Sequence, residues 1–221
     1  EAAKNWDKFY TRNQSKFFKD RHYLMEVFPE LAVKEGDPSS LEPFVLLEVG
    51  CGVGNAVLPL LQQNSRLIVW GFDLSSVAIN LMMMDSRFIE ASKLGRARAA
   101  VWDITARPCP LMKVGSPEAN GALLLFCLSA VSPQKMKVAA KHVIGTLKPG
   151  ACLLFRDYGR FDEAQMKLGT STGKRLSDNF YVKQDGTRCY YFAIDDIRNL
   201  FGDELEELEL EYIRRVYQNR G

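Results

Sequence analysis

Short apolar runs alternate with longer amphipathic stretches through the middle of this chain. Five runs have the length and composition of buried strands: 45–49, 67–73, 97–102, 121–128 and 151–155. The stretches between them have helical spacing, as in 77–88 and in the segment opened by Pro133. Strands and helices that alternate five times predict an α/β fold with a doubly wound, mostly parallel sheet.

The two ends of the chain depart from this alternation. Trp6, Phe9 and Tyr10 have helical spacing, and the polar stretch 36–40 predicts a loop, so we divide the chain into an N-terminal helical segment (1–40) and an α/β domain (41–221). Asp185-Gly186 between two aromatic runs predicts a β-hairpin inserted at about 179–192. We expect a long polar loop over 161–178, a helix capped by Asp195, and a sixth strand over 205–215.

Composition narrows the class of protein. The 221 residues are 47% hydrophobic and 25% charged, as expected for one soluble globular domain. A net charge of +2 is too small to indicate a nucleic-acid partner. Only a local cluster of basic residues could form a binding surface for nucleic acid. Five cysteines without a C-x-x-C pair argue against zinc, other metals and disulfides. They favour a reducing compartment, the cytoplasm by expectation, with nucleus and mitochondrion left open; no apolar run is long enough for a membrane span.

A glycine loop follows the first strand. Glu48 precedes Gly50, Gly52 and Gly54, and Asn55 stands where a dinucleotide fingerprint would have its third glycine. The pattern G-x-G-x-G after an acid favours S-adenosylmethionine over NAD(P) or over a tight turn without a ligand.

Acids also follow the second and third strands. Asp73 lies about 20 residues after the glycine loop, where a carboxylate accepts hydrogen bonds from ribose hydroxyls. A helix N-cap is the alternative for Asp73, as it is for Ser75. Asp103 follows the third strand, so Glu48, Asp73 and Asp103 are expected together at the carboxyl edge of the sheet.

Residues 1–23 are locally basic. They contain six Lys or Arg residues and three acids, interleaved with aromatic side chains. This mixture suits a single nucleic-acid strand, since cations meet phosphates and rings stack on bases, but a solvated basic face has the same composition.

Several longer motifs occur together and in order: N-W-x-x-F-Y (5–10), F-F-K-D-R-H (17–22), L-E-V-G-C-G-V-G-N (47–55), L-S-A-V (128–131), L-K-P-G (147–150), R-D-Y-G (156–159) and N-F-Y-V-x-x-D-G-T-R (179–188). In these motifs the chain resembles the tRNA 3-methylcytidine methyltransferases over nearly its whole length. F-P-E-L (28–31), Ala164-Gln165 and N-R-G (219–221) lean toward the threonine/arginine-tRNA branch. The family's last antiparallel strand has no counterpart in this sequence.

The resemblance implies a Rossmann-like class I S-adenosylmethionine-dependent enzyme that forms 3-methylcytidine at position 32 of the tRNA anticodon loop, with S-adenosylhomocysteine as product. The N-terminal segment would close over the cofactor. The implied cofactor residues are Trp6, Tyr10, Glu48, Gly50, Gly52, Asp73, Asp103, Ile104 and Leu125. The implied RNA-binding residues are Lys16, Lys19, Arg21, His22, Arg156 and Arg188. A tRNA-binding protein partner is a further family feature.

The chemistry requires little of the enzyme beyond positioning. Cytosine N3 has a free lone pair at neutral pH, so no general base is needed, and Arg156 and Asp157 are candidates only for work near the reacting atoms. N3 lies on the pairing edge, so the base must be unpaired and turned into a pocket. Two alternatives stay open: a small-molecule methyltransferase, which has no use for residues 1–23, and a non-catalytic RNA-binding scaffold, which would not bind S-adenosylmethionine.

Overall fold

A five-stranded parallel sheet forms the centre of the molecule. The computed structural model describes residues 1–32, 42–113 and 118–214. The strands are β1 (Phe44–Val49), β2 (Leu67–Asp73), β3 (Ala97–Val101), β4 (Ala119–Leu125) and β5 (Leu147–Arg156). Their order is β3-β2-β1-β4-β5, and every neighbouring pair is parallel. The predicted doubly wound α/β fold is confirmed.

Helices pack on both faces of this sheet and beside its carboxyl edge. They are α1 (Ala2–Asn13), α2 (Leu24–Val27), α3 (Val57–Gln63), α4 (Ser76–Met83), α5 (Ser86–Lys93), α6 (Pro133–Ile144), α7 (Glu163–Gly169) and α8 (Ile194–Phe201). Side chains of a strand alternate between faces, so Leu46 packs with α3, α4 and α5 while Leu47 packs with α6 and α8. Burial on both faces explains why the strands are almost wholly apolar.

The strand order reverses between β1 and β4. The chain runs from β1 outward through β2 and β3, then returns to the other side of β1 for β4 and β5. Open α/β sheets bind ligands in the crevice at the carboxyl ends of the strands at such a point. The glycine loop after β1 and Phe126 after β4 flank this crevice.

A small antiparallel sheet lies beyond β5. Its strands are β6 (Arg175–Ser177), β7 (Phe180–Val182) and β8 (Arg188–Tyr190), and the Asp185-Gly186 turn joins the last two. Gly186 has a φ of +81°, which a turn residue other than glycine would adopt only with strain. Tyr181 and Tyr191 pack against Tyr158, so this hairpin is fixed beside the carboxyl edge.

Helix α1 packs on the same edge from the other side. Its buried residues Phe9 and Tyr10 contact Val53 of the glycine loop and Ala78 of α4. The predicted boundary at residue 40 lies outside the described residues. Within the described ranges, no helix has the length and apolar character needed to cross a membrane.

Four local predictions were wrong, three of them about helices and loops. The expected helix 77–88 is two helices, because α4 ends at Met83 and the Asp85 carboxylate accepts the Arg87 N–H at 2.9 Å to start α5. The expected loop 161–178 contains α7 and β6. Asp195 is inside α8 rather than capping it; Asp196 accepts the N–H of Ala193 instead.

The fourth of these errors is the sixth strand. Described residues 205–214 form no strand, since alternation there does not bury a face: Leu208 is 82% exposed. Side chains hold this segment, with Glu207 paired to Arg198 and the Tyr212 hydroxyl donating to the Phe192 carbonyl at 3.3 Å. Residue 215 lies outside the described residues.

Candidate cofactor and substrate site

The glycine loop has a backbone that requires glycine. Gly50, Gly52 and Gly54 have φ values of +77°, +54° and +89°, a region that other residues rarely adopt. A Cβ on Gly50 would lie 2.6 Å from Cys127 Sγ, and one on Gly52 would lie 2.5 Å from the Tyr10 hydroxyl oxygen. Because these three residues have no side chain, a ligand at the carboxyl end of β1 can approach the backbone of the loop closely.

Asp73 fastens this loop to the end of β2. One carboxylate oxygen accepts the Gly52 N–H at 2.8 Å and the other accepts the Ser75 N–H at 2.8 Å. Burial raises the pKa of Asp73 to about 6, although both N–H groups act in the opposite direction. Each oxygen keeps acceptor capacity for a ligand hydroxyl. Ser75 itself caps α4, since its hydroxyl accepts the Ala78 N–H at 3.1 Å.

Glu48 is a buried carboxyl group with an unpartnered oxygen. It is 3% exposed, and its Oε2 has no hydrogen-bond partner among the described residues. Burial raises its pKa to about 8, and the positive charge of Arg21 opposes this shift. A buried acceptor of this kind is satisfied when a cationic or hydrogen-bonding ligand group approaches it.

Asp103, Ile104 and Leu125 complete the edge. The Asp103 carboxylate accepts the Thr105 N–H at 2.9 Å and the Thr105 hydroxyl at 2.7 Å, which fixes the turn after β3. Ile104 and Leu125 are buried, and Leu125 is the last residue of β4. The structure thus brings the three predicted acids and both apolar residues to one edge of the sheet.

Trp6 and Tyr10 cover the loop from α1. Their rings stack with centroids 6.0 Å apart, and Tyr10 is 5% exposed. Burial, with the nearby charge of Asp73, raises the pKa of the Tyr10 hydroxyl far above its ordinary value. The N-terminal segment therefore lies directly over the glycine loop, as a lid would.

A second group of side chains lies where β4 and β5 end. The Arg21 guanidinium is 4.9 Å from the centroid of the Phe126 ring, and this ring is 5.0 Å from that of Tyr158. Lys183 Nζ lies 5.3 Å from the Tyr158 ring, on its hairpin side. Phe126 has a φ of +54°, a strained value for an aromatic residue, of the kind found at functional sites. We call Arg21, Phe126, Tyr158 and Lys183 the cation–aromatic cluster.

The two catalytic candidates have different surroundings. Asp157 accepts the N–H of Ser129 and of Tyr158, each at 2.9 Å, so it holds the loop after β4 in place. Burial raises its pKa to about 6. The Arg156 guanidinium lies over the Tyr23 ring at 5.5 Å, and its Nη1 has no hydrogen-bond partner among the described residues. Arg156 therefore keeps a free donor at this edge, while each Asp157 oxygen already accepts one backbone N–H.

The predicted RNA-binding residues lie in different surroundings. Arg21 and Arg156 are half-buried in the crevice, whereas Lys16, Lys19 and His22 are exposed on the outside. His22 Nδ1 is 3.3 Å from Gln63 at the end of α3, and Arg188 pairs with Glu1 at 3.5 Å. Asp20 pairs with Arg87 at 2.6 Å, so Arg21 is not engaged by its acidic neighbour.

S-adenosylmethionine fits the residues at the carboxyl edge. The glycine cradle, the Asp73 carboxylate and the unpartnered Glu48 oxygen supply the acceptors and the close backbone approach that a nucleoside with an amino-acid chain needs. Asp103, Ile104 and the α1 residues Trp6 and Tyr10 would complete its surroundings. No three His, Cys, Asp or Glu side chains in the described parts of the chain are grouped to hold a metal ion.

Comparison with known proteins shows the same fold. A methyltransferase domain family matches residues 12–204. The magnesium protoporphyrin IX methyltransferase of Synechocystis with bound S-adenosylhomocysteine is similar in fold, with a TM-score of 0.58 and 15% identity over 91% of this chain and 86% of that one. Fold and site together define a class I S-adenosylmethionine-dependent methyltransferase, and S-adenosylmethionine is its cofactor.

Closer relatives give the family. The tRNA N(3)-methylcytidine methyltransferase Mettl2 of Drosophila melanogaster is 40% identical over all of this chain and 66% of its own length. The human tRNA N(3)-cytidine methyltransferase METTL6 is 38% identical over all of this chain and 75% of its own length. The chain belongs to the tRNA N(3)-cytidine methyltransferase family. The names of these relatives carry no tRNA isoacceptor, and the lean toward threonine/arginine tRNA stays a prediction.

Glu48 should make stability fall as pH rises. The folded protein retains the Glu48 proton up to a pKa of about 8, while an unfolded chain loses it near 4.5. Unfolding between these values releases a proton, so the free energy of unfolding decreases with pH. We expect Glu48→Gln, measured without cofactor, to raise the melting temperature relative to wild type more at pH 8.5 than at pH 5. Exposed Glu90→Gln is the control; equal differences at both pH values would contradict this assignment.

Proposed function

We propose that this chain transfers the methyl group of S-adenosylmethionine to N3 of a cytidine in the anticodon loop of tRNA. The names of the relatives support the substrate, and the site supports the chemistry. We further place this activity in the cytoplasm, because the five cysteines are all free thiols, as expected in a reducing compartment.

The observation that carries the proposal is the cation–aromatic cluster beside the glycine loop. Phe126 directly follows the last residue of β4, and its neighbour Cys127 lies against Gly50. An aromatic face stacks on an unpaired base, and an Arg guanidinium is a planar donor for a base or phosphate oxygen. Such a cluster suits a flipped pyrimidine held next to the cofactor.

The chain has to orient rather than to deprotonate. S-adenosylmethionine supplies an electrophilic methyl group when bound, and cytosine N3 supplies its own lone pair. Asp157 accepts two backbone N–H groups, which gives it a structural role in a reaction that needs no proton removal. The work of Arg21, Phe126 and Tyr158 is then to hold the base in line and exclude water.

Nucleoside mass spectrometry tests the proposal directly. Purified protein, S-adenosylmethionine and unmodified tRNA should yield 3-methylcytidine in the anticodon loop, and tRNA from cells lacking the protein should lose that nucleoside. Binding of S-adenosylmethionine without tRNA binding would indicate a small-molecule methyltransferase. Binding of tRNA without S-adenosylmethionine would indicate a scaffold.

Cofactor binding should protect α1 from protease. Because Tyr10 and Trp6 cover the glycine loop, we propose that α1 opens to admit ligand and closes over it. Trypsin cleavage after Lys8 and Arg12 should slow about tenfold with S-adenosylhomocysteine at ten times its Kd, since cleavage follows the open population. Cleavage after exposed Lys113 is the control. Equal rates at Lys8 with and without ligand would show that α1 is not a lid.

A further inference from the structure

Helix α1 has a row of positive charges on its outer face. Lys4, Lys8 and Arg12 are spaced four residues apart, so they lie on one side of the helix about 6 Å apart along its axis. All three are exposed. The row continues past the helix into Lys16 and Lys19, which are also exposed. We call these five residues the basic row.

The acids of this segment do not neutralise the row. Asp7 faces α4, where it accepts the Ser75 hydroxyl at 2.6 Å and the Val77 N–H at 3.3 Å. Asp20 pairs with Arg87, and Glu1 pairs with Arg188. In the described residues, no side chain of the basic row forms an ion pair. The segment thus directs its acids toward the protein and its cations toward solvent.

Exposed aromatic rings accompany the row. Phe17 is 58% exposed and Phe18 is 36% exposed, and both contact Phe9 within α1, with centroid distances of 4.9 and 5.9 Å. Positive charge beside exposed rings is the surface that a single RNA strand fits, because phosphates meet the cations and unpaired bases stack on the rings.

The opposite face of α1 is the one that covers the glycine loop. Trp6, Phe9 and Tyr10 point inward, while Asn5 donates to the Gly186 carbonyl of the hairpin at 3.0 Å. Helix α1 is therefore a layer between the cofactor loop and the outer surface, held at its flanks by α4 and by the hairpin.

We propose that tRNA lies across the basic row and presses α1 onto the cofactor site, so that tRNA and S-adenosylmethionine strengthen each other's binding. The inference rests on the proposed function and deepens it. A ligand that binds only the closed position of α1 favours that position for a second ligand, and the coupling is equal in both directions.

The experiment compares two triple variants by calorimetry and a tRNA shift assay. One variant is Lys4→Gln, Lys8→Gln and Arg12→Gln. The matched control is Lys93→Gln, Lys141→Gln and Lys148→Gln, whose exposed positions lie at the opposite, amino edge of the sheet. The Kd of S-adenosylhomocysteine, which has no methyl group to transfer and so is not consumed, is measured with and without saturating unmodified tRNA. The Kd of tRNA is measured at several salt concentrations.

For wild type and control, tRNA should tighten S-adenosylhomocysteine binding about fivefold or more. The variant with three changes in α1 should bind S-adenosylhomocysteine without tRNA as tightly as wild type, but lose the tightening by tRNA. Its slope of log Kd for tRNA against log salt concentration should be smaller by about two. Wild-type coupling and slope in a variant with unchanged melting temperature would overturn the inference and leave the proposed function intact. A wild type that binds no tRNA would overturn both. Lys8→Glu, a single change at an exposed site, repeats the test if the triple variant unfolds.

Discussion

Asp73→Ala should weaken S-adenosylmethionine binding by about 1.5–3 kcal/mol, or roughly 10- to 150-fold in Kd. The substitution removes the hydrogen bonds that we assign to the ribose. It also leaves the Gly52 and Ser75 N–H groups without their 2.8 Å acceptor, so the glycine loop loses its attachment to β2. Calorimetry on a variant shown to be folded by its melting curve measures the effect.

Asp73→Asn separates the two causes. An amide oxygen still accepts the Gly52 N–H, whereas the amide NH2 cannot accept the Ser75 N–H and the charge is lost. We expect a loss of affinity smaller than that of Asp73→Ala, with a melting temperature between those of Asp73→Ala and wild type. Asp203→Ala, with a side chain 81% exposed, is the control. Unchanged affinity in folded Asp73→Ala would remove Asp73 from the cofactor site.

Arg21→Ala should lower kcat/KM for tRNA methylation about 10- to 100-fold while S-adenosylmethionine affinity changes little. The sequence favoured Arg21 as a phosphate contact, but its guanidinium lies over Phe126 and close enough to Glu48 to lower the pKa of that carboxyl. This position favours a contact with the flipped base, and charged contacts of that kind contribute about 1.5–3 kcal/mol. Steady-state kinetics with tRNA measure the loss.

The neighbouring Lys19 provides the matched comparison for Arg21. Lys19 is exposed and belongs to the basic row. Lys19→Ala should therefore reduce the slope of log Kd for tRNA against log salt concentration by about 0.7–0.9, while kcat is retained. Arg21→Ala should instead leave that slope unchanged, and Arg21→Lys should restore little activity because a planar donor is lost. If Arg21→Ala reduces the salt slope of tRNA binding and leaves kcat normal, Arg21 contacts a phosphate rather than the base.

Apolar runs were sufficient to predict the sheet. Runs at 45–49 and 67–73 correspond to β1 and β2 with at most one residue of difference, because strands buried on both faces are apolar throughout. The prediction of a strand over 205–215 was wrong because alternating apolar and polar residues do not show that the apolar side chains are buried. Leu208, for example, is exposed to solvent. The prediction of one continuous helix over 77–88 was wrong because Asp85, a polar residue inside the helical pattern, is the N-cap of a second helix.

The glycines and strand-end acids of the proposed cofactor site are visible in the sequence, whereas the pairing of aromatic rings in the proposed substrate site is not. Glycines with special φ values and acids at strand ends follow from local rules, which is why Gly50, Gly52 and Asp73 could be named. Phe126 stands in an apolar run and Tyr158 in the polar motif 156–159, and their pairing depends on how β4 and β5 end side by side. No local pattern distinguishes such rings from core residues.

Asn55, at the position of the missing third glycine, has a consequence for swapping parts between relatives. Its side chain donates to the Phe18 carbonyl at 3.1 Å and to Asp20 at 3.2 Å, and its own carbonyl accepts the Arg21 N–H at 2.8 Å. A chimaera that takes its N-terminal segment from one relative and its glycine loop from another keeps these hydrogen bonds only if residues 18–21 and Asn55 come from the same parent. The two regions should therefore be exchanged together, although 33 residues separate them in the sequence.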